Sequence, residues 1–250
     1  MTLPDFRSDR SQAQQHLLIA SALILTVLAG ITVMVARLTH STPADAANRP
    51  SRPSPSSALT DPAEADSNGY ISWVDVAGVQ VPVSKLHGPR ITDHGRAAGY
   101  SHSPQGAAIA AVQVLARASA TAGPNVYVPI LTSQVTGSNV ADLTLNLDAE
   151  YGRLHTQRGV QSGQPIPGND GTVLGYIITG YEPLESSATI EVVLTAPQLQ
   201  AAGQVIVFTV SLTWANDDWR VFAPPRGDWS SVARTLGAVP SGMLDYRAMT

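Results

Sequence analysis

An apolar run of 20 residues near the start of the chain constrains its architecture more than any other feature. Residues Leu17 to Ala36 contain no charged residue, no proline and a single glycine. As a helix, the run would be ~30 Å long at ~1.5 Å per residue, which matches the hydrocarbon core of a bilayer. Because a helix satisfies its own backbone hydrogen bonds in lipid, we predict that this run spans a membrane.

Two other interpretations of the apolar run are less favoured. Signal peptides have apolar segments of about 7–15 residues, and the cleavage-like pattern Ala44-Asp45-Ala46 lies well past the apolar end. Buried helices of soluble proteins are usually shorter, and they are amphipathic unless deeply buried. We therefore expect an uncleaved anchor at residues 17–36, preceded by a cytoplasmic tail at residues 1–16.

The segment after the anchor, residues 37–68, carries no core-forming pattern. Residues 40–68 contain five prolines among many Ser and Ala residues, and Leu59 is the only large apolar side chain there. This composition cannot bury enough surface to offset the entropy of ordering, so it predicts a disordered stalk. A flexible stalk of this length would span ~30 Å on average.

Residues 69–250 show the elements of an α+β domain. We predict a hairpin over 70–83, a helix from Pro104 to about Thr121 with Ser103 as its N-cap, and a short helical or irregular segment over 124–135. A second helix is predicted over 140–154, although Leu143, Leu145 and Leu147 also alternate as a strand would.

The remaining residues are dominated by strands. They are predicted at 172–181, 187–195, 205–214 and 219–222, followed by a short closing helix around 229–236. Helices followed by hairpin-linked strands favour one antiparallel sheet that curves around the helices.

Composition and motifs exclude several classes of function. The chain has no cysteine, which excludes disulfides, zinc–thiolate sites and thiol catalysis. Its formal net charge of −4 provides no electrostatic footprint for direct binding of nucleic acid. The phosphate-binding motifs GxxxxGK[ST] and GxGxxG and the nucleophile motif GxSxG are absent from the sequence.

The histidines favour structural roles over metal binding. His87, His94 and His102 lie seven and eight residues apart, and no carboxylate pair accompanies them. Zinc ligands usually have shorter, defined spacings, so we expect surface or capping histidines. His102 and Ser103 would set up the start of the following helix.

The acidic residues are likewise predicted to be solvated or to lie in turns. Asp142, Asp148 and Glu150 interleave with the apolar positions of a predicted helix, and Glu191 has the outward parity of a strand. The pair Asp217-Asp218 fits a hairpin turn better than a calcium loop. We therefore predict no catalytic, cofactor-binding or metal-binding residues.

The tryptophans are the candidate contact residues. Trp214 lies in an alternating strand, which favours packing in the core. Trp73 and Trp229 lie near the ends of the predicted domain and are the better candidates for a protein interface.

Three motifs carry a resemblance to a known family: GVQVPVS at 78–84, HGP at 87–89 and GYSHSPQGAAIAA at 99–111. They resemble a family of single-pass proteins from actinobacterial conjugative elements, and a looser match continues through residues 134–137 to the last tryptophans. In layout these proteins are similar to the VirB-eight-type scaffold of type IV secretion systems. The element order also resembles the cone-shaped fold of nuclear transport factor two.

The resemblance bears on the expected topology. Lys and Arg residues near the anchor slightly favour the tail on the outside, but long domains translocate largely regardless of such charges. With the resemblance, we expect a single-pass protein of the cell membrane whose C-terminal domain is extracytoplasmic.

The resemblance implies a membrane-anchored, non-enzymatic scaffold or assembly component of a conjugative, type IV secretion-like apparatus. Its expected partners are the bilayer and other channel subunits, with a homo-oligomer left open and no cofactor. The alternative is a membrane-anchored module that binds a lipid or small apolar ligand in the pocket of the cone. A wall-associated enzyme on the same fold ranks last.

Overall fold

The computed structural model describes residues 70–168, 171–184 and 186–249 of the chain. The predicted tail at 1–16, anchor at 17–36 and stalk at 37–68 lie outside these residues. Among the helices that the structure describes, none is long and apolar enough to cross a membrane. The described residues have a mixed α+β fold, which confirms the expected fold class.

The described residues form four α-helices, eight strands and four short 3₁₀ turns. The helices are α1 (Pro104–Arg117), α2 (Pro124–Gln134), α3 (Val140–Arg158) and α4 (Pro197–Ala201). The strands are β1 (Ile71–Val76), β2 (Val79–Ser84), β3 (Val135–Thr136), β4 (Thr172–Glu182), β5 (Ser187–Thr195), β6 (Val205–Ala215), β7 (Asp218–Phe222) and β8 (Ala233–Leu236). Short 3₁₀ turns lie at Ala120–Ala122, Pro225–Gly227, Trp229–Val232 and Tyr246–Ala248.

These strands form one sheet that curls into a half-barrel. Its order is β1-β2-β4-β5-β6-β7-β3, and β8 also pairs with β6. The pairs β2–β4 and β3–β7 are parallel, and the other neighbouring strands are antiparallel. On β6, the side chains at alternate positions from Ile206 to Leu212 enter the main core, as the sequence alternation predicted.

Helix α1 packs against the sheet and contacts β2, β4, β5, β6 and β7. Almost all of its residues are buried, because alanines at 107, 108, 110 and 111 let the helix approach the strands closely. The Ser103 hydroxyl accepts a hydrogen bond from the Gly106 N–H, and Pro104 occupies the first helical turn. The predicted start of this helix is therefore confirmed, whereas it ends at Arg117, earlier than expected.

Two local predictions are decided by the structure. The predicted closing helix around 229–236 is wrong, because only Trp229–Val232 forms a 3₁₀ turn and the following residues form β8 along β6. The Leu143–Leu147 segment is helical: Leu143 and Leu147 are buried on one face of α3, and Leu145 points to solvent.

The C-terminal segment returns to the core after β8. Leu244 and Tyr176 exchange backbone hydrogen bonds of 2.8 and 3.0 Å. This close approach requires glycine at 175, where a Cβ atom would collide with the Leu244 carbonyl. The Tyr246 ring is fully buried, and its hydroxyl donates to the Ala108 carbonyl of α1 at 3.2 Å. The last described turn therefore belongs to the folded domain.

Candidate functional site

Two of the three motifs that carry the resemblance, at 87–89 and at the start of 99–111, lie together beside the β6–β7 turn. We call this region the motif junction and define it as residues 87–89, 99–106, 134–137 and 218–219. The first two segments are joined by the Ser101 N–H, which donates to the His87 carbonyl at 3.1 Å. Gly88 packs so close to the 99–100 backbone that a Cβ atom would lie 2.7 Å from the Gly99 carbonyl oxygen.

The buried carboxylate of Asp218 connects three of these segments. Its Oδ2 accepts hydrogen bonds from the Gly99 N–H at 2.8 Å and from the Gln134 side-chain amide at 3.0 Å. Its Oδ1 accepts from the Tyr100 N–H and from the Trp219 N–H, both at 3.0 Å. Four donors thus stabilise this anion, and no Lys or Arg of the described residues forms an ion pair with it. A carboxylate engaged in this way holds the fold and is not free to act as a general base.

The role of Asp218 differs from the sequence prediction. The hairpin turn consists of Asn216 and Asp217, both with φ in the left-handed region, and Asp218 is the first residue of β7. Local sequence could not reveal this role, because Gly99 and Asp218 are 119 positions apart.

Aromatic rings cover one side of the junction. The Trp219 indole is fully buried and donates from Nε1 to the Ser101 carbonyl at 2.9 Å. The exposed His102 ring stacks on Trp214, with centroids 4.3 Å apart and planes at 10°. The Tyr181 hydroxyl donates to the His102 carbonyl at 3.4 Å. We call His102, Trp214 and Tyr181 the aromatic cap, because these side chains lie over Trp219 and retain exposed surface.

The junction also places two hydroxyls beside an imidazole. His87 Nδ1 lies 3.1 Å from Ser101 Oγ and 3.3 Å from Ser103 Oγ, and the two hydroxyl oxygens are 2.7 Å apart. An activated serine needs a base that is oriented by a third group. The other ring nitrogen of His87 is buried and has no hydrogen-bond partner among the described residues. Ser103 is engaged in capping α1, so the arrangement stabilises the helix start and lacks the features of a catalytic triad.

The other polar residues considered from the sequence do not assemble into a site. His94 is exposed beside Asp93, and no group of three or more His, Asp or Glu residues that could hold a metal occurs in the described part of the chain. Asp142 and Asp148 are exposed on α3, and Asp148 accepts a hydrogen bond from the Tyr127 hydroxyl at 2.7 Å. Burial and this carboxylate raise the pKa of Tyr127.

Two further carboxylates form surface ion pairs. Glu150 binds Arg153 one turn later on α3, at 2.5 Å. Glu191 binds Arg234 of β8 at 2.8 Å, and the interaction raises the pKa of Arg234. Both pairs are positioned to support secondary structure rather than chemistry.

The two tryptophans predicted to be interface residues lie in different environments. Trp229 is only 8% exposed, and its indole donates to the Ala118 carbonyl at 2.9 Å. This placement does not favour a contact role for Trp229. Trp73 is partly exposed, with the Arg247 guanidinium 5.0 Å from its ring centroid and the Tyr246 ring nearly perpendicular to it at 6.4 Å.

A small apolar cavity lies between a helix and the sheet of the described residues, and two larger, open clefts lie near the surface. The apolar cavity between α1 and the sheet, which also reaches Trp229, has a volume of about 60 Å³. An open cleft of about 570 Å³ lies between α3 and the Pro225–Val232 turns. A second open cleft of about 800 Å³ lies between the β1–β2 turn, the end of α1 and residues 165–168.

Comparison with known proteins gives one match. A protein-family model described as a domain of unknown function (DUF8175) matches residues 35–240, which is most of the chain and includes the motif junction. No curated protein and no solved structure matches the chain.

Proposed function

We propose that this chain, which belongs to the DUF8175 family, is a membrane-anchored, non-enzymatic scaffold that works through protein contacts. It would form part of a conjugative apparatus that resembles a type IV secretion system. In this proposal residues 17–36 are the anchor, residues 37–68 are the stalk, and the C-terminal domain lies outside the cytoplasm. For the fold, the proposal is a cone-shaped domain similar to nuclear transport factor two, and the curled sheet packed against α1 supports it.

One observation carries this proposal: the Asp218 carboxylate at the centre of the motif junction is engaged inside the fold, while aromatic rings remain at its surface. The Asp218 carboxylate, the Trp219 indole and the Ser103 hydroxyl all bond to other parts of the junction. The aromatic cap packs against the buried Trp219 ring, which fixes its position. Rigid, partly exposed aromatic side chains are typical anchors of protein interfaces.

The apolar-ligand alternative has less support. The cavity between α1 and the sheet, at about 60 Å³, is far below the ~300–1,000 Å³ of typical ligand pockets. A lipid chain would have to separate α1 from the strands, and the alanine-rich contact there is closely packed.

The proposal is tested by placing a charge on the aromatic cap. In His102→Glu, a carboxylate replaces the ring that stacks on Trp214 at the exposed surface, while the backbone contacts of residue 102 are retained. The matched controls are His94→Glu and His94→Gln, since that histidine is exposed and makes no ring contact with the described residues. The full-length variants are isolated from donor-cell membranes after cross-linking, and co-purified channel subunits are identified by mass spectrometry.

We expect His102→Glu to fold normally and to lose its channel subunits, whereas both His94 variants keep them. Normal complexes in His102→Glu would contradict a contact role for the cap. If Asn or Gln at a single polar residue abolished function while folding and complex formation stayed intact, the scaffold proposal would be replaced by an enzymatic one.

A further inference from the structure

The last turn of α1 buries an arginine. Arg117 is only 6% exposed, because α1 is enclosed by the sheet and by α2. Its Nη1 donates to the side-chain oxygen of Gln113, one turn earlier. The Gln113 amide in turn donates to the Pro82 carbonyl of β2 at 2.6 Å, so the guanidinium is held in a fixed orientation.

This buried cation has no anionic partner among the described residues. Their ion pairs do not include Arg117, and its Nε and Nη2 groups form no hydrogen bond with them. Burial lowers the pKa of Arg117, while the neighbouring Tyr100 acts in the opposite direction. Because Nη1 alone is engaged, the Nε and Nη2 groups of the fork are available to an anionic acceptor.

The same neighbourhood contains a second unpartnered polar group. The Tyr100 hydroxyl is buried, with the residue 2% exposed, and it has no hydrogen-bond partner in the described residues. Burial raises the pKa of Tyr100 well above its usual range, and the positive charge of Arg117 acts against this shift. Tyr100 and Arg117 therefore lie within electrostatic reach of each other.

Arg117 lines the open cleft of about 800 Å³ described above. Two other charged side chains lie in this lining. Arg96 binds Asp93 at 2.8 Å, whereas Asp75 accepts hydrogen bonds at 3.1 Å from two neutral donors, the Gly78 N–H and the Gln80 amide. Much of the remaining wall is apolar and includes Val126, Val160 and Ile166. Beside this apolar surface, the cleft presents the Arg117 guanidinium, which has no anionic partner among the described residues.

We propose that this cleft binds the carboxylate of a small organic acid, with the Arg117 guanidinium as its partner and an apolar body against the 160–166 wall. A planar guanidinium fork matches a carboxylate through two parallel hydrogen bonds. A single guanidinium suits a monoanion, whereas a phosphate dianion would leave negative charge unpaired in the cleft. The inference is independent of the scaffold role, because no residue of the aromatic cap lines the cleft.

The test uses the full chain in a non-ionic detergent and titrates it with 3-phenylpropanoate in a calorimeter. The uncharged 3-phenylpropanamide has nearly the same shape and measures the apolar contribution alone. We expect the acid to bind at least about tenfold more tightly than the amide, because charge-assisted hydrogen bonds to arginine are lost with the carboxylate. Inorganic phosphate is the third probe and should bind more weakly than the acid.

Two variants locate the site. Arg117→Met removes the charge and keeps a long side chain, and it should weaken binding of the acid by at least about tenfold. Arg234→Met should leave the affinity unchanged, because this surface arginine is paired with Glu191 and does not line the cleft. If Arg117→Met does not melt cooperatively, Arg117→Lys replaces it, since it retains the charge and loses the fork.

Equal binding of acid and amide would overturn the proposal, and so would unchanged affinity in the Arg117 variant. Tighter binding of phosphate than of the acid would overturn the assignment to carboxylates. None of these results affects the scaffold proposal, whose readout is the set of co-purified channel subunits.

Discussion

Asp218 is the residue on which the motif junction depends. It lies at the start of β7, and its carboxylate accepts hydrogen bonds from two backbone N–H groups of the 99–100 segment and from Gln134 of α2. Removing the anion would leave buried donors without acceptors, which costs more than the net value of the lost bonds.

Asp218→Asn should lower the free energy of unfolding by roughly 2–4 kcal/mol, since an amide group can present a donor to N–H groups that need an acceptor. Urea unfolding followed by tryptophan fluorescence would measure this loss. All four tryptophans of the chain lie between residues 73 and 229, so the signal of the full chain reports on the folded domain.

Asp217→Asn is the control for the same chemical change one position earlier. Asp217 is exposed and has φ of 59°, a conformation that asparagine also adopts readily. We expect its unfolding free energy to stay within about 0.5 kcal/mol of the native value. Similar effects at both positions would mean that the carboxylate of Asp218 has no special role.

Only part of the junction could be predicted from the sequence, because some of its hydrogen bonds join residues close in sequence and others join residues far apart. The Ser103 cap followed from Ser-Pro before an apolar run, and its bond spans three residues. The Asp218 network spans more than a hundred residues, and nothing near Asp218 distinguishes it from a turn residue. The burial of Arg117 was also missed, because an arginine in a last helical turn normally faces solvent.

At the scale of elements, the structure depends on a C-terminal segment that the sequence pattern did not mark. Strand β8 contains exposed Arg234 and Thr235 and has no apolar alternation, so only its partner β6 reveals it as a strand. By contrast, β6 was identified correctly because its alternation extends over the whole strand. After β8, Tyr246 inserts between Trp73 and Tyr176, beyond the last residue of the family match.

Tyr246→Ala should destabilise the domain by about 3–5 kcal/mol, the range for removing a buried aromatic ring. Tyr246→Phe loses only the bond to the Ala108 carbonyl and should cost about 1 kcal/mol. Thermal and urea unfolding of the full chain would separate the two. A Tyr246→Ala variant as stable as the Phe variant would show that the segment is not part of the core.

The neighbouring Arg247→Ala provides the control for this segment. Its guanidinium lies over Trp73 at the surface, and an exposed cation–π contact contributes about 0.5–1 kcal/mol. A loss as large as that of Tyr246→Ala would point to the surface contact, rather than the buried ring, as the origin of stability.

At the scale of the whole molecule, nearly all buried apolar side chains of the described residues form one cluster that extends from Ile71 to Met249. A smaller cluster around Val193, Val205 and Val207 covers the other face of the sheet. A continuous core of this kind is expected to unfold as a unit. The family match, which ends at residue 240, therefore stops short of the cooperative unit.

We predict that residues 69–250 fold without the preceding segments, because the described residues from Ile71 onward already form a continuous core. Expressed alone, this fragment should give a single unfolding transition with coincident fluorescence and circular dichroism midpoints. A second fragment, residues 69–242, lacks Leu244, Tyr246 and Met249, and its midpoint should fall by about 10 °C or more. If the longer fragment were molten or aggregated, the preceding residues would have to contribute to the core. If both fragments had the same midpoint, the folded domain would end before Leu244. That result would contradict the role assigned here to the buried Tyr246 ring.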